Sequence, residues 1–372
     1  MKYYIIAGEA SGDLHGSNLI SALIKLDKSS TYRCWGGDKM QEAGGELVKH
    51  YRELAFMGFA EVLMNLPTIF RNLKFCKEDI LQYKPDALIL IDYPGFNLRI
   101  ARWAKQHNIK IIYYISPQVW AWKEGRVKMM KQCIDKMLVI LPFEKDYYKN
   151  KWDWDVEYMG HPLVEEIERS RESGVGSQEL SNRPIIALLP GSRKQEILKK
   201  LPVMLEVSKS FPSYQFIVAK APGLKEQFYD DLLKSFSNVS YVSNQTYNLL
   251  MQSKAALVTS GTATLETALF AVPQVVCYKG SWLNYQIGKR LVKVKYIALV
   301  NLIMDKLVVK EFIQEKFTIE NLKNELAELL TNDARKEQLQ KDYTTIKKLL
   351  TEEGNASSKA AASITSFLNS VA

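Results

Sequence analysis

The chain has 372 residues, 47% hydrophobic and 24% charged, which is ordinary globular composition and long enough for about two domains. That excludes a disordered, collagen-like or disulfide-scaffold protein. Fifty Lys plus Arg against 41 Asp plus Glu leave +9, a balance that suits a nucleic acid, an anionic membrane or a phosphorylated substrate.

The first apolar run, KYYIIAGEASGD, ends in small residues and opens a helix. Its turn, GEASGDLHG (8–16), lets a ligand approach backbone N–H groups and sets Glu9, Asp13 and His15 at a helix N-terminus that favours anions. A plain glycine turn capped by Ser11 or Asp13 fits the same residues, and the spacing is neither GxGxxG nor a Walker A loop. Residues 56–75 then gather Phe56, Met57, Phe59, Leu63, Met64 and Phe70, with Arg71 and Lys74 following. This composition suits an interfacial membrane or acyl-chain surface, and equally an ordinary buried stretch.

DALILIDYPG places Asp92 at a strand end before a Pro-Gly turn. A carboxylate there accepts a proton from a hydroxyl or satisfies loop amides. After KIIYYISPQ, the segment SPQVWAWKEGRVKMMKQ (116–132) interleaves Trp120 and Trp122 with Lys123, Arg126, Lys128 and Lys131. Such interleaving serves nucleic acid, sugar phosphate or lipid headgroups alike. KMLVILPFE is the last strand-like run of this half, and His161 in YMGHPLVE lies near the expected domain junction.

Continuous apolar runs alternating with helical periodicity predict βαβ units and a parallel sheet. The polar stretch at 170–184 reads as a linker, after which IIALLPGSR, YQFIVAKAPG, VSYVSN, AALVTSGTATLE and QVVCYKG repeat the pattern, with helices after 320. The prediction is two doubly wound α/β domains, whose ligands bind outside the carboxyl ends of the strands. In LPGSRKQEI (189–197) a strand ends in Gly191, Ser192 and Arg193 at a helix start, so N–H groups, helix dipole and guanidinium converge as on a phosphate. SGTATLETALFAVPQVV (260–276) repeats this with Ser260, Gly261, Thr262 and Glu266. Either loop alone fits a helix cap; two in one half-chain point to a nucleotide diphosphate.

The positive charge is local. Residues 99–151 hold 12 basic and 4 acidic side chains, net +8, and residues 276–310 hold 7 and 1, net +6. Both segments are expected to face phosphorylated sugars or an anionic membrane leaflet. Cys34, Cys76, Cys133 and Cys277 are scattered without a CxxC, so neither zinc ribbon nor disulfide framework is expected and a reducing cytoplasm fits. The N-terminal apolar run is too short for a signal peptide, and no run approaches the roughly 18 apolar residues of a spanning helix.

In this order, GEASGD, FMGFAEVL, DYPGFN, SPQVWAWKEGRV, LPFEKDYY, GHPLVE, LLPGSR and SGTATLE resemble the landmarks of the bacterial lipid-A-disaccharide synthases, from about residue 5 to about residue 312. The resemblance implies two Rossmann-like doubly wound domains facing a central cleft, the B-type glycosyltransferase fold. Residues 1–172 are then the acceptor domain, 183–345 the UDP-sugar domain, and 346–372 a helix returning to the first. The implied reaction is an inverting transfer, without metal or other cofactor. It moves 2,3-diacylglucosamine from its UDP donor to the 6-hydroxyl of 2,3-diacylglucosamine 1-phosphate, giving the β-1,6-linked disaccharide 1-phosphate and UDP. The implied setting is the cytoplasmic face of a Gram-negative inner membrane, as a peripheral monomer or homodimer with no nucleic-acid partner.

Carried over by motif, UDP contacts fall to Gly191, Ser192, Arg193, Ser260, Gly261, Thr262, Glu266 and Asn301 in YIALVNL. The acceptor side takes Ser11, Gly12, His15, Asn97, Gln118 and Trp120. Many members carry DxPDFN where this chain reads DYPGFN, so Gly95 stands in place of the family's favoured Asp. Asp92, three residues upstream, becomes the first candidate base, with Glu9 and Asp13 behind it. Acylated substrates favour the membrane or acyl surface at Phe56, Met57, Phe59, Leu63, Met64 and Phe70. The alternative is a UDP-N-acetylglucosamine 2-epimerase-like enzyme of the same architecture, which needs no acyl surface. A nucleic-acid-binding protein ranks last, because no RNA or DNA module signature is present.

Overall fold

A computed structural model describes residues 1–54, 66–172, 178–221, 223–281, 285, 294–352 and 354–370. The chain divides into two compact units, Met1–Pro162 with Thr351–Ala372, and Leu163–Leu350. The first unit holds strands β1 (Lys2–Ala7), β2 (Thr31–Gly36), β3 (Glu46–His50), β4 (Ala87–Ile91), β5 (Lys110–Tyr114), β6 (Lys136–Val139) and β7 (Glu157–Tyr158). Their order is β3-β2-β1-β4-β5-β6-β7, with every neighbouring pair parallel. The second unit holds β8 (Ile185–Leu189), β9 (Gln215–Lys220), β10 (Val239–Ser243), β11 (Ser253–Thr259), β12 (Gln274–Tyr278) and β13 (Glu311–Ile313). Their order is β10-β9-β8-β11-β12-β13, again all parallel.

Parallel neighbours need long crossovers, and the crossover helices cover both sheet faces. That is why β4 (ALILI) and β8 (IIALL) carry no polar residue and are buried throughout. Both units are doubly wound α/β folds, as the alternation of apolar runs predicts. The strand order reverses between β1 and β4 and again between β8 and β11. Ligand crevices of such sheets open at these switch points, so the loops at 8–13, 92–95, 190–193 and 260–262 occupy the favoured places.

The division between units departs from the expected 172/183 border. From Leu163 onward the helix Pro162–Glu172 belongs to the second unit. Arg171 donates to the Leu269 carbonyl (3.1 Å) and lies over the Phe270 ring (5.2 Å), and Glu168 pairs with Lys347 (3.5 Å). The expected border at 345/346 likewise falls inside the helix Asp333–Thr351. The last helix, Ala356–Ser370, packs on the helix Ala10–Leu26 through a face that includes Ala360, Ala361, Ile364 and Leu368. Among the described residues no helix is long and apolar enough to cross a membrane.

Candidate active site

At the β1/β4 switch point, Glu9 is the exposed N-cap of the helix Ala10–Leu26, and its carbonyl accepts the Asp13 N–H (2.9 Å). Gly8 beside it leaves no room for a side chain: a Cβ there would stand 2.3 Å from the Tyr93 ring. Asp92 and Tyr93, directly after β4, both have left-handed backbones (φ 43° and 47°), and Ile115 after β5 has φ 69°. Such values are uncommon outside glycine and rarest for a β-branched residue. Hydrogen bonds hold the conformation in place. The Asp92 N–H donates to the Ile115 carbonyl (3.3 Å), while the Asp92 carbonyl accepts from the Tyr113 hydroxyl (2.5 Å) and the Asn97 amide (2.8 Å). Backbone strain held this way gathers at functional sites.

The Asp92 side chain reaches solvent at the strand end, with protein crowding its other sides. That crowding, with the Glu9 charge adding to it, lifts the carboxyl to about 7 against the opposing pull of the Tyr93 N–H. A carboxyl poised near neutrality at a switch point is suited to take a proton from a hydroxyl.

Several expected site residues have other work. Asp13, expected as a reserve base, is 3% exposed. Its Oδ1 accepts from the N–H groups of Gly37 (2.7 Å) and Met40 (3.1 Å), and its Oδ2 from that of Lys39 (3.2 Å), which caps the helix Asp38–Glu42. Asp13→Ala leaves three backbone donors without their partner, those of Gly37 and Met40 buried, and should cost about 2–4 kcal/mol of stability; an unchanged urea midpoint would contradict that role. Asn97, expected at the acceptor, is fully buried. Its Nδ2 bridges the carbonyls of Ile6 (3.3 Å), Ile91 (3.2 Å) and Asp92 (2.8 Å), tying β1 to β4 and fixing Asp92.

Trp120 donates its indole N–H to Glu144 (3.0 Å) and meets the Phe143 ring edge-on (4.9 Å). Gly12 packs its helix onto β1, where a Cβ would lie 3.0 Å from that of Ala7. Burial lowers His15 to about 4 and His161 to about 3, the latter helped by His15, so both rings are neutral at physiological pH. Ser11 and Gln118 are exposed. Phe70 is 62% exposed; Phe56, Met57, Phe59, Leu63 and Met64 lie outside the described residues.

Sequence reasoning misses Glu144. It is buried at the third position of the helix Pro142–Trp152 and accepts from the N–H groups of Leu141 (3.0 Å) and Ile140 (3.3 Å). Burial lifts its carboxyl to about 7, with a further push from Asp92. Its signal is present as LPFE, a Pro at the first helical turn and a Glu at the position that reaches back to the cap. The basic segment at 99–151 is partly self-neutralised, by Lys105–Asp135 (2.5 Å), Lys151–Glu124 (2.5 Å) and Lys149 with Asp153 and Asp155. Lys123 stands over the exposed Trp122 ring (4.1 Å).

At the β8/β11 switch point, Gly191 has φ 119° and Gly261 φ 117°, values that favour glycine. A Cβ on Gly191 would also stand 2.8 Å from Glu196 Oε2. Ser192 and Arg193 are exposed, and Arg193 is the N-cap of the helix Lys194–Ser208, with Nη1 3.5 Å from Glu196 Oε1. Gly261 is the N-cap of the helix Thr262–Leu269, with Ser260 before it. In that helix Glu266 accepts from the Tyr247 hydroxyl (3.2 Å), and burial raises its carboxyl.

Asn301, expected at UDP, has its side-chain amide bonded within the protein. It is fully buried, donating to Val309 O and Glu311 Oε1 (both 2.8 Å) and accepting from the N–H groups of Val308 and Val309 (both 2.9 Å). Every hydrogen-bonding position of its amide is used in fastening its own loop. Sequence reasoning also misses Lys200, a buried ammonium that donates to the Thr259 hydroxyl at the end of β11.

The lipid-A-disaccharide synthetase family model matches residues 3–365. The chain belongs to that family. A lipid-A-disaccharide synthase from Geobacter sulfurreducens is 38% identical over 357 residues, 94% of this chain and 93% of the relative. Among solved structures, a UDP-GlcNAc 2-epimerase from Neisseria meningitidis bound to UDP-GlcNAc superposes with TM-score 0.69 at 14% identity, covering 98% of this chain and 100% of that one. A calicheamicin glycosyltransferase gives 0.62 at 15% identity, covering 100% and 99%. These two likenesses show a fold shared by epimerases and transferases; membership of the synthetase family is what separates the two readings.

Proposed function

We propose that this glycosyltransferase joins two acylated glucosamines, taking 2,3-diacylglucosamine from its UDP donor and placing it on the 6-hydroxyl of 2,3-diacylglucosamine 1-phosphate. Asp92 is the base. It removes the hydroxyl proton as the oxygen attacks C1 of the donor sugar from the face opposite UDP. The C1–O bond to the diphosphate breaks, its electron pair leaves with UDP, and the configuration at C1 inverts. The charge appearing on UDP meets Arg193 and the N–H groups at the two glycine-led helix starts. Glu266, oriented by Tyr247, takes the ribose hydroxyls.

The observation that carries this reading is the strained turn that sets Asp92 at the end of β4, at the β1/β4 switch point, in a chain of the synthetase family. Acylated substrates require work at a membrane face, and we place the enzyme peripherally on the cytoplasmic side of the inner membrane. The exposed Phe70, and Trp122 with Lys123 over it, support that placement, since apolar bodies with charged tips suit an interface.

Purified protein given both acylated sugars should release one UDP for each disaccharide 1-phosphate formed. Given UDP-N-acetylglucosamine alone it should form no 2-epimer. Epimer formation without disaccharide would overturn the transfer reading in favour of the epimerase one.

A further inference from the structure

Lys200 is only 3% exposed. Burying an ammonium is costly, and an apolar side chain of similar length would fill the space without that cost. Compensation for it is thin. Its nearest carboxylate is Glu196 Oε2 at 3.7 Å, and the same carboxylate also faces Arg193 at 3.5 Å. Two cations therefore share one anion. The other polar neighbours are the Thr259 hydroxyl, which accepts from Nζ, and the buried thiol of Cys277 on β12. Burial lowers the lysine, and Glu196 opposes that shift.

The position is as telling as the charge. Thr259 is the last residue of β11, immediately before Ser260, Gly261 and Thr262. On the other side, Nζ lies 3.4 Å from where a Gly191 Cβ would stand. Lys200 thus sits behind both loops of the β8/β11 switch point, shielded from water and counter-ions, where a charge acts with less screening than at the surface.

We propose that Lys200 is a positioning residue of the donor site: through Thr259 it fixes the loop at 260–262, and it supplies a buried positive charge behind the diphosphate. The inference rests on the UDP-binding role proposed for these loops. Its signature is a dependence on ligand charge. In Lys200→Met, UDP should bind about ten- to a hundredfold more weakly, UMP should lose less, and uridine should bind as it does to wild type. A collapsed site would lose all three equally. Thr259→Val removes the hydroxyl anchor with little change of volume and should weaken UDP binding several-fold, again sparing uridine.

Calorimetric titration of wild type and both variants, with melting curves alongside, separates the outcomes. Wild type that binds no UDP removes the donor reading itself. Wild type that binds UDP, with a folded Lys200→Met variant showing no loss or an equal loss for all three ligands, overturns the role of Lys200. If Lys200→Met does not fold, wild-type UDP affinity in Thr259→Val overturns it.

Discussion

Asp92→Asn should lower turnover by about 10²–10⁴-fold while UDP binds with unchanged affinity. The substitution keeps the size of the side chain and the backbone bonds to Ile115, Tyr113 and Asn97, so the strained turn survives and only basicity is lost. Because crowding by the protein and the Glu9 charge lift the carboxyl to about 7, kcat/KM of the wild type should fall about tenfold per pH unit below that value. The variant should lack this acid limb. Stability offers an independent check. The folded carboxyl binds its proton more tightly than the unfolded one at 3.8, so the stability it contributes is full below the unfolded value and is lost as pH rises through about 7. Asp92→Asn should therefore melt above wild type at pH 8, with the advantage shrinking on acidification. Wild-type turnover in the variant would remove Asp92 as the base and leave Glu9.

Arg193→Ala should reduce kcat by about 10²–10³-fold and UDP affinity by about tenfold. The inequality arises from where charge appears. The diphosphate becomes more negative as the C1–O bond breaks, so a guanidinium aimed at it stabilises the transition state more than the bound donor. Arg193 is half-exposed and pairs with Glu196 at 3.5 Å, so thermal stability should stay within about 0.5 kcal/mol of wild type. This contrasts with Asp13→Ala, where stability is the quantity lost. Steady-state kinetics and melting curves on the same preparations decide it; weaker UDP binding with unchanged kcat would mean that Arg193 holds ground state and transition state equally.

The parallel sheets are legible because strands buried on both faces read as unbroken apolar runs, and the loops that matter lie directly after those runs. Local pattern does not show which distant backbone group a polar side chain meets. Asp13 looks like a titratable group at a helix mouth, yet its partners are the N–H groups of Gly37, Lys39 and Met40 on another element. Asn301 looks like a nucleotide contact, yet its whole amide is used between Val308 and Glu311. Lys200 is hidden for a related reason. In LKKL the adjacent Lys199 is exposed and Lys200 buried. Only helical phase, which places Lys200 on the face of Ile197 and Met204, distinguishes them. The polar stretch at 170–184 draws the domain border to itself, whereas the helix before it is fastened to helices of the second unit by Arg171 and Glu168.

A structure of the chain with UDP and the acylated acceptor sugar bound tests whether Asp92 is the base. An Asp92 carboxylate oxygen should lie within about 2.6–3.2 Å of the acceptor 6-hydroxyl, with the diphosphate against Gly191, Arg193 and Gly261. Glu9 or another carboxylate at that hydroxyl, with Asp92 turned away from it, would remove Asp92 as the base.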